Sequence, residues 1–424
     1  MKTTSDIGKS SFLNRWKRLA GRGPSEKSID AEHPLRAELF SASQMEQHGK
    51  ILASMHQLTG RRKQDRLLSR LAENEHVLRG VHRLLTEDVK QDQRMTPAGE
   101  WLLDNFYVIE EQIRTAAKHF PKGYSRELPQ LHGGHSSGLP RVYDLALEAI
   151  SHGDGRVDPE YLSRFVAAYQ TVTPLKLGEL WAIPIMLRLA LIENLRRVAA
   201  RLLVRRKDRN RADYWANLMT EVATTDPKSL ILTIADMARS DPPMASSFVA
   251  ELTRRLQGQG PAQSLPLSWI ERRLSESGQT IDQLVRLENQ QQASDQISIS
   301  NSIGSLRSLT ATNWNDFVES LSAVEGILGQ DPISIYSKMN FSTRDRYRHI
   351  VETIAKKSPH SEPEVARRAL ELAREGAAGQ DEERKGHVGF YLVGDGLAQL
   401  ERLVEVRRSP AAALCALGRR FFCY

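Results

Sequence analysis

Apolar residues along this chain recur every three or four positions, the spacing that places them on one face of a helix. Ser41 and Gln44 have the form of a capping box, and Met45, His48, Leu52 and Met55 follow at helical spacing. Leu67, Leu71, Leu78, Val81, Leu85 and Val89 make a second, longer stripe. Thr96-Pro97 opens a third segment, carrying Leu102, Phe106, Ile109, Ile113 and Ala117 and stopping at Pro121-Lys122-Gly123. A loop from Gly123 to Leu139 precedes a helix with Val142, Leu145, Ala146 and Ile150, and Asp158-Pro159 caps the next.

The longest apolar helical stretch runs from Leu175 to about Arg206, with Pro184 expected to kink or restart it. In the second half, Asn313 caps a helix with Phe317, Leu321, Val324 and Leu328, and Ser342 one with Tyr347, Ile350 and Ile354. Ser361 with Glu364 is a further capping box. The polar run from Asn289 to Asn301 reads as a linker or a solvated helix. His387 to Val393 has strand-like content but equally begins a helix. No fixed-period repeat and no convincing alternating strand is present. The expectation is an all-α fold, a multi-helix array of antiparallel helices with no substantial β-sheet. Its parts are a flexible basic arm (1–40), a helical module (41–212), a helical connector with a polar linker (213–300), a second helical module (301–406) and a tail (407–424).

Composition agrees with a soluble helical chain: 424 residues, 40% hydrophobic, 26% charged and 6% aromatic. No stretch reaches 18 apolar residues, so no transmembrane segment is expected, and the N-terminus lacks the apolar core of a secretory signal. Cys415 and Cys423, the two cysteines, give no disulfide framework and no cysteine-based metal site.

Charge changes the picture more. The net charge is +7, and the block from Arg196 to Arg211 holds all of the excess. It contains Arg196, Arg197, Arg201, Arg205, Arg206, Lys207, Arg209 and Arg211 against Asp208 alone. Such a block suits an anionic membrane surface or an acidic partner. It also suits a solvated helix end, where cations complement the dipole. Nucleic acid is the least favoured partner, since that chemistry spreads charge over a face with aromatics interleaved. Within the apolar helix, Arg188 and Glu193 stand out beside Trp181 and Pro184. Arg188 either lies at an edge with its head in water or makes a buried polar contact; the apolar run from Leu180 to Ile192 favours packing of this surface within the chain over docking on another domain.

Motifs that carry chemistry are sparse. There is no phosphate-binding glycine loop, no dinucleotide fingerprint, no H-E-x-x-H and no D-x-D. Gly134-His-Ser-Ser-Gly138 matches G-x-S-x-G with Ser136 in the nucleophile place, but a nucleophile elbow needs a preceding strand and a following helix. Glu110 and Glu111 read as a solvated face beside a core stripe, and Trp181, Met186 and Leu187 as core more than as a cleft. His132, His135 and His152 read as exposed loop histidines, not as metal ligands. No catalytic residue, cofactor or metal is expected.

Three longer stretches are more specific. The first is Trp101-Leu-Leu-Asp-Asn-Phe-Tyr107 through Ile109-Glu-Glu-Gln-Ile-Arg114, with Lys122-Gly-Tyr-Ser-Arg-Glu-Leu-Pro129. The second is Gly138-Leu-Pro-Arg-Val-Tyr-Asp-Leu-Ala-Leu-Glu148 with Asp154-Gly-Arg-Val-Asp158. The third is Tyr169-Gln170, then Thr173 to Arg188, then Leu191-Ile-Glu-Asn-Leu-Arg-Arg197. With Trp314-Asn-Asp-Phe317, Asp331-Pro332, Phe341-Ser-Thr-Arg-Asp-Arg-Tyr-Arg348 and His387-Val-Gly-Phe-Tyr391, these closely resemble the N-terminal region of bacterial cyclic β-1,2-glucan synthases.

The resemblance implies a region on the cytoplasmic face of the inner membrane. It would precede the transferase domain that uses UDP-glucose and the phosphorylase-like part, so the chain lacks both. The implied partners are the other domains of the synthase or an anionic membrane surface. The stretch from Arg407 to Tyr424 departs from the family and suits a truncated or frameshifted reading frame. The alternatives are a genuine short chain and, from another class, a stand-alone helical interaction protein that binds a membrane-associated partner.

Overall fold

A computed structural model of the chain describes residues 35–59, 65–134, 136–258, 264–378 and 383–407. Most of the expected basic arm, His135, and the tail with Cys415 and Cys423 lie outside these residues. The described residues form eighteen α-helices and one two-stranded sheet. In the first half these are α1 (Ala42–Met55), α2 (Leu67–Lys90), α3 (Pro97–Asp104), α4 (Phe106–His119), α5 (Tyr124–Glu127), α6 (Arg141–His152), α7 (Pro159–Gln170) and α8 (Leu177–Thr225). Next come α9 (Leu230–Arg239), α10 (Ser246–Leu256), α11 (Ser264–Ser275) and α12 (Ile281–Ala311). The last group is α13 (Trp314–Leu321), α14 (Ala323–Leu328), α15 (Phe341–Lys356), α16 (Glu362–Ala378), α17 (Val388–Leu392) and α18 (Leu397–Leu403). Strands β1 (Leu58–Thr59) and β2 (Gln130–Leu131) pair antiparallel, Leu58 opposite Leu131. The fold is all-α.

Local chemistry sets many of the helix starts. Ser41 and Gln44 form a reciprocal capping box, Thr96 accepts from the Gly99 amide, and Asp158 from the Glu160 and Tyr161 amides. Asn313 caps α13, and Ser361 bonds Glu364. The start of α15 is capped by Asn340 instead of Ser342, because the helix begins two residues earlier. The third segment breaks at Asn105 into α3 and α4. His387 to Val393 is helical, as α17.

Helix α8 is the spine. Its 49 residues extend for about 74 Å at about 1.5 Å per residue. It runs on through Pro184, and it continues past the basic block to Thr225. Helix α12 lies alongside in the opposite direction: Asn194 meets Ser298 and Ser302, whereas Arg205, further along α8, meets Gln291. Helix α2 departs from the antiparallel rule. Asn74 meets Glu193 and Asp88 meets Arg206, so the two helices run the same way.

Three hydrophobic cores result. The first joins α1 to α7 and the first half of α8 to Ile299–Leu309 of α12 and to α13. The stretch 301–321, expected with the second module, thus packs with the first. A second core holds α14 to α18, and a third joins the far half of α8 to α9, α10, α11 and the start of α12. The run from Asn289 to Asn301 is helical and not a linker. It is the middle of α12, with Asn289, Gln290 and Gln296 exposed on one side and Asp295, Ser298 and Ile299 fully buried on the other. No helix among the described residues is long and apolar enough to cross a membrane.

Candidate functional site

The buried face of α8 carries a ladder of charge. Glu193 has no solvent exposure and accepts from Arg70 Nε and Nη2 at 3.0 and 2.6 Å and from Asn74 Nδ2 at 2.8 Å. Arg196 Nη2 and Arg197 Nε, one turn further along α8, donate to it at 2.9 and 2.8 Å. Burial pushes this carboxyl up, but Arg70 and Arg197 outweigh it and hold it below its ordinary value. Arg196 is pushed down to about 10 by burial and by the neighbouring Arg197.

The next rungs are Asp295, which takes Arg201 and Arg205, and Asp88, which takes both arms of Arg206. Asp208 accepts from Ser247 at 2.9 Å, and Arg211 donates to the Ser240 carbonyl at 2.6 Å. Arg196, Arg197, Arg205 and Arg206 are buried, while Lys207 is exposed. The charge that the sequence offered to an anionic partner is therefore largely answered by carboxylates on α2, α8 and α12. Pairing with these carboxylates offsets the cost of burying the guanidinium groups.

The second singled-out surface also lies inside the fold. Arg188 is buried and donates to Gln112 at 2.7 Å, while Trp181 and Pro184 are half-buried. Trp181 packs edge-on against Phe341 of α15. Met186 and Leu187 are fully buried core.

Beyond the ladder a polar cleft of about 920 Å³ opens between the α2–α3 connection, α8, α10 and α12. Asp88, Arg206, Arg209, Tyr214, Glu251 and Glu288 are among its lining residues. One guanidinium nitrogen of Arg209, Nη1, is buried without a hydrogen-bond partner, and burial holds Arg209 below its ordinary value. Sequence reading missed this cleft, because its walls come from segments more than 150 residues apart. Acids and arginines are interleaved along its walls.

Among the described residues no serine–histidine pair assembles at the G-x-S-x-G match. Ser136 donates to Asp144, and His56 Nε2 lies 3.0 Å from the other oxygen of the same carboxylate, with Nδ1 2.9 Å from Tyr169 Oη. A serine nucleophile needs the histidine as its base; here the aspartate stands between them. Glu110 pairs with Arg79 at 2.6 Å, and Glu111 is exposed. His132 is exposed, but His152 is the last residue of α6 and its side chain is only 11% exposed.

Residues of the longer sequence stretches meet one another across the fold. Asp331 accepts from His387 Nδ1 and from the Val388 amide, both at 2.9 Å. Arg348, fully buried, pairs with Glu319, Glu325 and Asp345 and lies over the Phe341 ring. Arg141 pairs with Glu179 in the core at 2.6 Å. Each set joins helices together; none leaves a reactive group poised over open space.

No family model matches the chain. Over 388 residues, 90% of its length, it is 32% identical to "Cyclic beta-(1,2)-glucan synthase NdvB" of Rhizobium meliloti strain 1021. The chain spans 13% of that protein's length.

Proposed function

We propose a function from one premise, that the chain is related to the cyclic β-(1,2)-glucan synthases. In this reading it is a non-catalytic helical portion of such a synthase, held at the cytoplasmic face of the inner membrane. It supports the domain that polymerises glucose from UDP-glucose. The similarity over nearly the whole chain is the observation that carries the proposal. The interior favours a supporting role, because its charged groups are spent on joining helices. Glu193, Asp295, Asp331 and Arg348 each bridge two or more segments. Ser136 donates to Asp144, and among the described residues no histidine accepts from its hydroxyl.

The partners in this reading are the remaining domains of the synthase. Co-purification tests it: the tagged chain should retain a membrane-embedded cyclic glucan synthase from which the matching stretch has been deleted. Failure to retain it, with both proteins folded, would count against the supporting role and favour a stand-alone interaction protein.

A further inference from the structure

One polar cluster in the first core serves none of the roles above. His48 projects from α1, and Glu148 and His152 from the end of α6, one helical turn apart on one face. Their three ligand atoms lie within 4.8 Å of one another, and all three side chains are half-buried. His48 Nε2 is 2.7 Å from Glu148 Oε2, and His152 Nε2 is 3.4 Å from the same oxygen.

The other nitrogen of His152 decides the chemistry. Nδ1 lies 2.7 Å from the backbone carbonyl of Glu38. A carbonyl only accepts, so Nδ1 carries the hydrogen. In its neutral form the ring presents a bare Nε2 to a carboxylate oxygen, lone pair against lone pair. A proton or a metal cation between the two resolves that conflict. The bond from Nδ1 to a carbonyl is also the outer contact that fixes the tautomer of a metal-ligating histidine.

We propose that His48 Nε2, Glu148 Oε2 and His152 Nε2 bind a divalent transition-metal ion of the Zn²⁺ class. Two imidazoles and one carboxylate suit that ion. Bonds of about 2.0–2.2 Å in a tetrahedral site set ligand atoms roughly 3.3 Å apart. The His152–Glu148 separation already has that value, and the His48–Glu148 pair must open by roughly 0.6 Å. Phe40 covers the site: its ring stacks on His152 at 3.7 Å and meets His48 edge-on at 5.5 Å. The ion would tie α1 to α6 and, through the Glu38 carbonyl, to the segment that precedes α1. His48 and His152 are 104 positions apart in sequence, so no motif spacing announces the set.

The test uses the full chain, freed of metal by chelation and titrated with Zn²⁺ by calorimetry. Co²⁺ is followed in parallel by visible absorption. One ion per chain and a four-coordinate Co²⁺ spectrum without thiolate charge transfer are expected. Glu148→Gln and His48→Ala should each weaken binding by at least about tenfold. His349→Ala, on the exposed side of α15, should leave it unchanged. Three results would overturn the proposal: no bound ion, leaving the cluster to be held by a proton on His152; equal binding by the variants; or a thiolate signature from Cys415 or Cys423. Circular dichroism checks that each variant folds, and if both fail to fold, the spectrum of the unaltered chain decides.

Discussion

Changing Glu193 to Gln removes one negative charge from the point where three guanidinium groups converge, and it keeps the side chain's size. The carboxylate has no solvent exposure, whereas the Arg70 side chain is 32% exposed and those of Arg196 and Arg197 are 9% and 10% exposed. Water therefore relieves Arg70 in the variant but not the other two. Removing one partner of a buried pair costs about 3–5 kcal/mol, and the amide oxygen keeps one acceptor, so about 3 kcal/mol is expected. Arg70→Met should cost less, about 1–2 kcal/mol, since Glu193 keeps Arg196, Arg197 and Asn74. The assay is urea denaturation followed by far-ultraviolet circular dichroism. Arg70 and Arg197 hold the folded carboxyl below its ordinary value of about 4.3, so its ionisation adds stability above that pH. That contribution disappears as pH falls through the lower folded value, and the gap between Glu193→Gln and the unaltered chain should narrow in acid. A loss below about 1 kcal/mol, or equal costs for Glu193→Gln and Arg70→Met, would refute the reasoning.

Three further outcomes follow from the same packing. Gly155→Ala should destabilise the chain by about 1–3 kcal/mol by denaturation. Gly155 has φ +79°, and a Cβ there would collide with Ser302 Oγ on α12 and lie 3.1 Å from the Ser298 carbonyl. Asp331→Asn should cost about 2–3 kcal/mol, because one oxygen cannot serve His387 and the amides of Ile335, Tyr336 and Val388 together; an unchanged denaturation midpoint would contradict this. Arg206→Gln, which orphans the buried Asp88, should cost about 3 kcal/mol, whereas Lys207→Gln on the exposed side should stay within about 0.5 kcal/mol. Small and equal effects from both would mean that the block is solvated.

What was legible in the sequence was local. Caps at Ser41, Thr96, Asp158, Asn313 and Ser361 act within three residues, so their pattern is readable without partners. The ends and faces of the long helices were not. The arginines after Arg196 resemble a helix end until α2 supplies Asp88, α12 supplies Asp295 and α8 itself supplies Glu193. The serines and Asp295 of α12 resemble a linker for the same reason, because their partners lie about 100 residues earlier on α8. The Arg209 cleft and the His48–Glu148–His152 cluster are also products of long-range packing.

The proposed role, a non-catalytic supporting portion of a glucan synthase, meets its sharpest test in incorporation of labelled glucose from UDP-glucose by the purified chain. No labelled glucan above background is expected. Labelled β-1,2-linked product made by the chain alone would contradict it.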